Sequence, residues 1–366
     1  MSTTDVIVVG GGLIGMLSAR ELALAGVRVT LFERRATGQE SSWAGGGILS
    51  PLYPWRYPAA VNDLARWSQA VYPELLARLH RDTGIDPEYL PCGLLMLDAD
   101  QQAAAGEWAR AYPARLCLLE NAELRAEEPE LAPHWQQGSL FPELGQVRNP
   151  RLVAAARADL LRLGVNLHEQ TPVTELLLRA GQVCGVRGGD RTWSAPRVVL
   201  AGGAWSAGLL PPPLLTPPVR PVRGQMMLYR IAPGRIRYIV LCGGHYVIPR
   251  RDGHLLVGST LEEVGFDKQI TAAARAELSA RAAALFPFLR GESPVQHWAG
   301  LRPGSPQGIP CIAEHPEVTG LFINAGHYRN GVVMGPASAR LLADLVLGRK
   351  PILEPASFRL FEAVST

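Results

Sequence analysis

Apolar runs that empty into glycines mark out this chain. Val6-Ile7-Val8-Val9 is unbroken and apolar, the pattern of a strand covered on both faces. Glycines follow, and the Ala/Leu-rich stretch from Leu13 to Ala25 predicts a helix that Gly26 stops. Val27-Arg28-Val29-Thr30-Leu31-Phe32 predicts a second strand ending at Glu33. Such a strand–helix–strand unit commits the sheet to parallel pairing with a right-handed crossover.

Behind a proline and aromatic loop, Pro51–Pro58, a helix is predicted from about Ala60 to Asp82, then a strand at Leu94–Leu97. The Ala/Glu/Arg-rich stretch from Asp100 to about Glu130 predicts helix throughout. Asn149-Pro150 opens another helix, Arg151–Leu163, closed by Gly164. Strands are expected around Val173 and Val183, and Arg197–Leu200 is a second buried run, emptying into Gly202-Gly203. Pro211–Pro221 is a proline-dense connector. Tyr246–Pro249 and Leu255–Gly258 flank an Asp252-Gly253 turn, a hairpin signal. Leu321–Asn324 predicts a strand and Ala337–Leu347 an amphipathic closing helix. The expected fold class is α/β. A Rossmann-like domain is assembled from residues 1–48, 145–215 and 300–366, and a second α+β domain on an antiparallel sheet from 49–144 and 216–299.

Composition narrows the classes. A chain of 366 residues accommodates two packed units, and 47% hydrophobic against 19% charged residues suits a large core. No apolar stretch is long enough for a membrane span, and Met1–Asp5 lacks the basic run of an export signal. The net charge of +3 comes from arginines dispersed among acids, so no nucleic-acid partner is expected. The cysteines (Cys92, Cys117, Cys184, Cys242, Cys311) are odd in number and far apart, without zinc spacing or a disulfide framework. Free thiols, no metal and a cytoplasmic setting are expected.

Chemistry enters with Gly10-Gly11-Gly12-Leu13-Ile14-Gly15, a GxGxxG between the first strand and the first helix. Gly10 allows the tight turn, Gly12 lets the backbone approach a pyrophosphate, and Gly15 lets helix and strand pack closely. The helix N-terminus offers free N–H groups to the phosphates, and Glu33 stands where a carboxylate accepts ribose hydroxyls. The fingerprint alone does not separate NAD from FAD. A second glycine segment, Ser41-Ser42-Trp43-Ala44-Gly45-Gly46-Gly47, favours FAD: its hydroxyls can donate to phosphate and its glycines allow approach to the flavin ring.

These features, with Gly300-Leu301-Arg302-Pro303 and Gly326-His327-Tyr328-Arg329-Asn330-Gly331, resemble the D-amino-acid oxidase superfamily of flavoproteins over essentially the whole chain. The likeness is greatest to its glycine-oxidizing, thiamine-biosynthesis branch. The resemblance implies non-covalent FAD held by Leu13, Ile14, Glu33, Arg34, Ser41, Ser42, Gly46, Gly47 and Ile48, with Val173 at the adenine. It implies a return loop, His327, Tyr328, Arg329, Asn330 and Gly331 with Val332 and Val333, over the flavin pyrimidine. It implies Arg302, Arg329 and Tyr246 at the substrate, molecular oxygen as acceptor, and a homo-oligomer.

The planar guanidinium of Arg302 can hold an amino-acid carboxylate in a two-pronged grip and so fix the Cα–H direction toward flavin N5. Tyr246 can donate to the same carboxylate. No protein base is required, so neither His245 nor His327 is assigned as one. Cys311 lies near where sarcosine-oxidising relatives attach flavin, but Ile312-Ala313-Glu314 departs from their pattern. Their oxygen-activating lysine has no counterpart on Leu255–Thr260. The same grip serves sarcosine, D-alanine or D-proline, or a quinone-linked dehydrogenase. A non-catalytic flavoprotein scaffold is the reading from another class.

Overall fold

Alternation about one buried strand organises the first layer. In the computed structural model, which describes residues 4–360, β1 (Val6–Val9) is buried along its whole length. Helix α1 (Leu13–Leu24) leaves it, and β2 (Val29–Phe32) returns in parallel, with Val6 opposite Val29. A short helix α2 (Ser41–Ala44) follows, and α3 (Ala59–Thr83) ends at the left-handed Gly84. Then comes β3 (Leu94–Met96).

The single helix expected from Asp100 to Glu130 is instead α4 (Gln102–Ala111), β4 (Cys117–Glu120) and α5 (Asn121–Glu127). Pro113 holds Tyr112 extended (φ −114, ψ 95), which stops the first helix. Leu118 and Leu119 then pair with β5 (Gln137–Phe141). Next are α6 (Asn149–Arg162), β6 (Asn166–His168), β7 (Glu175–Arg179), β8 (Gln182–Gly188), β9 (Arg191–Ser194) and β10 (Arg197–Leu200). The strand expected around Val173 opens two residues later, at Glu175, leaving Val173 in the loop before it.

Sequence reasoning missed a long strand, β11 (Arg220–Arg230), which begins inside the proline-dense connector. It also missed β12 (Ile239–Cys242). The hairpin of β13 (His245–Pro249) and β14 (His254–Gly258) forms as predicted. After α7 (Ala272–Leu285) comes β15 (Gln296–Gly304), again unforeseen, running antiparallel to β11 from Arg220 opposite Gly304 to Leu228 opposite Gln296. The expected domain boundary at residue 300 falls inside β15. β16 (Cys311–Glu314), β17 (Leu321–Ala325) and α8 (Gly331–Val346) follow, and a short 3-10 turn at Pro355–Phe358 lies near the end of the described residues. α8 starts well before the expected Ala337. Pro336 has no N–H for the Val332 carbonyl one turn back, and the Tyr72 hydroxyl donates to that carbonyl instead.

The six-stranded sheet runs β16-β17-β10-β1-β2-β6, parallel except for β16. Val6 and Val8 face a core with α1, α3, α6 and α8, whereas Ile7 and Val9 face the small sheet β7-β8-β9. The eight-stranded sheet runs β15-β11-β14-β13-β12-β3-β5-β4. It is mixed, because β12 and β3 pair in parallel where an antiparallel sheet was expected. Alternation along β11 sends Met227 into a core with α7 and Met226 to the opposite face, with Tyr246 and Leu52.

Candidate active site

A cavity of about 400 Å³ extends from the C-terminal end of β1 to the Met226 face of the larger sheet. At its first end, Gly10 (φ 117) lies so close to β10 that a Cβ would stand 2.4 Å from the Ala201 carbonyl oxygen. At Gly15 a Cβ would stand 1.9 Å from the Gly10 oxygen, so α1 can seat on the strand only with glycine there. Gly15 therefore shapes the turn without lining the cavity. Gly12 meets nothing but Ser42 Oγ at 3.3 Å and leaves the mouth of α1 open.

No side chain of the helix itself caps α1; Leu13 N–H donates to Ser42 Oγ (2.8 Å). That leaves the Ser42 hydroxyl hydrogen for an acceptor in the cavity. Glu33 accepts from Gly11 N–H (2.7 Å) and Arg35 N–H (3.0 Å), one per carboxylate oxygen, which holds it at the rim with lone pairs to spare. The Arg34 guanidinium lies over the Trp205 ring (3.7 Å), and Trp205 stacks on Phe266 at 5.3 Å. Trp205 lines the cavity and was missed, although the run ending in Gly202-Gly203 pointed to that turn.

The glycines of the second segment line the cavity and also seat against neighbouring protein atoms. A Cβ at Gly45 would meet Asn149 Nδ2 at 2.8 Å, at Gly46 the Ile248 side chain at 2.7 Å, and at Gly47 (φ 76) the Val147 oxygen at 2.0 Å. The protein itself packs against them. Arg250, also missed, is buried and donates to the carbonyls of Gly46 (2.9 Å) and Val147 (2.9 Å), fastening this segment to the hairpin. Burial lowers its pKa to about 10. Ser41, Gly46, Gly47 and Ile48 all line the cavity, as does Val173.

At the far end, Arg302 on β15 lies deep in the molecule, its edge open to the cavity. Nη1 donates to Thr260 O (3.1 Å) and Nη2 to Ser259 Oγ (2.6 Å). Burial pulls its pKa below the ordinary value; the neighbouring Tyr246 opposes that and the Arg329 charge adds to it. Arginine nevertheless stays cationic. The Tyr246 hydroxyl donates to Met226 Sδ (3.3 Å). Arg329 Nη2 donates to Gly244 O (3.3 Å), so its guanidinium leans on the turn between β12 and β13. All three side chains line one cavity wall although they come from three separate segments.

The return loop is held to β15 by Tyr328 N–H donating to Pro303 O (2.9 Å). His327, Tyr328, Gly331 and Val332 line the cavity. Asn330 and Val333 do not: Asn330 is the N-cap position of α8, and Val333 packs into the helical core. The alternating exposure of a helix's first turn separates these neighbours, which linear matching cannot. The His327 ring points away from the chemistry, with Nε2 2.6 Å from Ser338 Oγ in a buried chain that continues to Asn324 (2.9 Å). Burial lowers its pKa to about 3, so the ring is neutral. His245 faces Glu277 (3.1 Å). Cys311 is buried off the cavity, its thiol pushed up to about 12 by burial.

These residues fit FAD. The open helix mouth at Gly12, the donor at Ser42 and the acceptor at Glu33 suit a dinucleotide, and the cavity continues past them to a cationic end. Three comparisons bear on this fit. The family model for FAD dependent oxidoreductases (DAO) matches residues 5–345. A glycine oxidase from Pseudomonas aeruginosa is 52% identical, covering 96% of this chain and 97% of that protein. A bifunctional ThiO/ThiG protein from Synechocystis is 34% identical over 95% of this chain and 52% of its own length. The crystal structure of glycine oxidase from Geobacillus kaustophilus superposes with a TM-score of 0.92 at 31% identity, covering all of both chains. With a glycine-turned helix mouth, a ribose-side acid and a family match spanning nearly every element described, the chain belongs to the FAD dependent oxidoreductase family.

Proposed function

We propose that this enzyme oxidises glycine, and other small amines such as sarcosine or D-alanine, to the imine. The imine hydrolyses to glyoxylate and ammonia, and molecular oxygen is reduced to hydrogen peroxide. One observation carries the reading: a half-buried guanidinium, Arg302, fixed by Ser259 and Thr260 in the wall of the cavity that Tyr246 also lines. Arg302 pairs with the substrate carboxylate, Tyr246 donates a further hydrogen bond to it, and Arg329 adds positive potential. FAD, when bound, supplies the acceptor for the hydride that leaves the substrate carbon. The His327 ring, neutral and engaged with Ser338, is not assigned as a base in this reading, which agrees with chemistry driven by the substrate's own nitrogen.

Gly10, Gly12, Leu13, Ile14, Glu33, Arg34, Ser41, Ser42, Gly46, Gly47, Ile48 and Val173, with His327, Tyr328, Arg329, Gly331 and Val332 of the return loop, hold the cofactor in this reading, supported by their common cavity. It extends to a domain division at the two sheets and to a cytoplasmic homo-oligomer. The unpaired cysteines and the exposed Leu261, Val264, Phe266 and Ile270 support the latter two. No helix among the described residues is long and apolar enough to cross a membrane.

The test is anaerobic: glycine should bleach the flavin band of the loaded protein, and air should then yield peroxide. Bleaching by D-proline but not glycine would favour an oxidase or quinone-linked dehydrogenase for another amino acid. No bleaching by any small amino acid would favour a non-catalytic flavoprotein.

A further inference from the structure

We propose that Met226 is a self-oxidation site, where the hydrogen peroxide released by turnover converts the thioether to its sulfoxide and slows the enzyme. This rests on the peroxide-forming reading above. Among the described residues lining the cavity, Met226 is the one that carries sulfur. Its Sδ accepts the Tyr246 hydroxyl at 3.3 Å, and a Cβ at Gly258 would stand 2.2 Å from it. The sulfur is therefore lodged between a substrate-facing hydroxyl and the bare backbone of β14. Met227, the next residue, faces the other side of the sheet and is fully buried in the core with Val247, Val257 and Leu278. Two chemically identical side chains thus stand on opposite sides of one strand, both almost fully buried, and only Met226, 2% exposed, borders the cavity where peroxide would be released.

The competing thiols are poorly placed. Burial raises the pKa of Cys92, and pushes Cys242 up to about 11 and Cys311 up to about 12, so these stay protonated and slow. Cys184 is exposed and outside the cavity.

The step balances without another reagent. A sulfur lone pair attacks one peroxide oxygen, the S–O bond forms as the O–O bond breaks, and the departing hydroxide takes the remaining proton as water. Sulfur is oxidised by two electrons and peroxide is reduced by two. Gly258 closes one side, so the new oxygen is directed toward the cavity and Tyr246. A sulfoxide oxygen is a much better acceptor than a thioether. It captures the Tyr246 hydroxyl and withdraws it from the substrate carboxylate.

The experiment lets the FAD-loaded enzyme turn over glycine in air, with peroxide followed by a coupled peroxidase in parallel. Tryptic cleavage after Arg223 and Arg230 places Met226 and Met227 in one peptide, Gly224–Arg230, whose fragment ions locate a single added oxygen. The expected result is oxygen accumulating at Met226 with turnover number, not at Met227. Glycine KM in the oxidised enzyme rises about tenfold, equivalent to about 1.4 kcal/mol, with FAD content unchanged. Met226→Leu, whatever its starting KM, holds that value through the same number of turnovers. Equal oxidation of both methionines, or an intact thioether after ample peroxide formation, overturns the inference. Absence of peroxide from glycine removes the functional reading and this inference together.

Discussion

The guanidinium of Arg302 lies directly across Gly224 on the neighbouring strand. A Cβ at Gly224 would stand 2.1 Å from Nη1 and 2.3 Å from Cζ. The two residues face each other through the β11–β15 pairing, where Gly224 opposes Gly300 and Val222 opposes Arg302. Gly224→Ala therefore forces the guanidinium off its seat without straining the backbone. Glycine KM should rise at least about tenfold, about 1.4 kcal/mol, while the flavin spectrum and cofactor content stay as in the parent. An unaltered KM in a variant with intact flavin would show that this seat does not position the arginine.

Arg302→Lys tests the fork itself. Lysine keeps the charge but loses the planar geometry that reaches Ser259, Thr260 and a carboxylate together. A loss of about 2–5 kcal/mol in kcat/KM is expected, the range for truncating a buried hydrogen-bonded charge pair. Steady-state kinetics with glycine and with a carboxylate inhibitor should show parallel losses. Full activity in the lysine variant would leave only a point charge in the role.

His327 gives a pH dependence with a defined sign. Burial lowers its pKa from 6.5 to about 3. Between those values the unfolded chain binds a proton that the folded chain refuses, so stability is complete above pH 6.5 and declines as pH falls toward 3. His327→Gln should flatten that part of the stability profile, measured by denaturant midpoints from pH 7 to pH 4. A slope unchanged by the substitution would assign the acid sensitivity to other groups.

The segment carrying Phe266 and Lys268 reaches over the nucleotide end of the cavity. Phe266 stacks on Trp205 (5.3 Å), Lys268 Nζ pairs with Glu40 (2.9 Å), and Glu40 also pairs with Arg34 (3.2 Å). These are rim contacts, worth about 0.5–1 kcal/mol each. Phe266→Ala combined with Lys268→Ala should therefore raise the FAD dissociation constant by up to about five- to thirtyfold. Recovery of flavin fluorescence on dilution measures it directly. Retention equal to the parent would mean that the segment only borders the site.

The nucleotide end was legible because it depends on neighbours in sequence. A buried run, a glycine turn and a helix mouth lie within residues 6–24, and the hydrogen bonds there are made by backbone that any such strand–turn–helix offers. The order of residues could not distinguish the lining positions Gly331 and Val332 from Asn330 and Val333, because that depends on which way the first turn of α8 faces. Nor could it show that the second glycine segment is also crowded by Asn149, Val147 and Ile248, all at least 100 residues away.

Residue order alone was enough for the kind of cofactor and the parallel sheet that presents it, and it singled out Arg302 as the arginine proposed to anchor the substrate. Tertiary structure alone decided how that arginine is seated. Gly224 and Tyr246 meet Arg302 through the pairings of β11 with β15 and β14 and of β14 with β13, strands made of short, glycine- and proline-interrupted runs whose own periodicity is weak. Their partners are chosen by what lies across the sheet, and that choice leaves no local pattern to read.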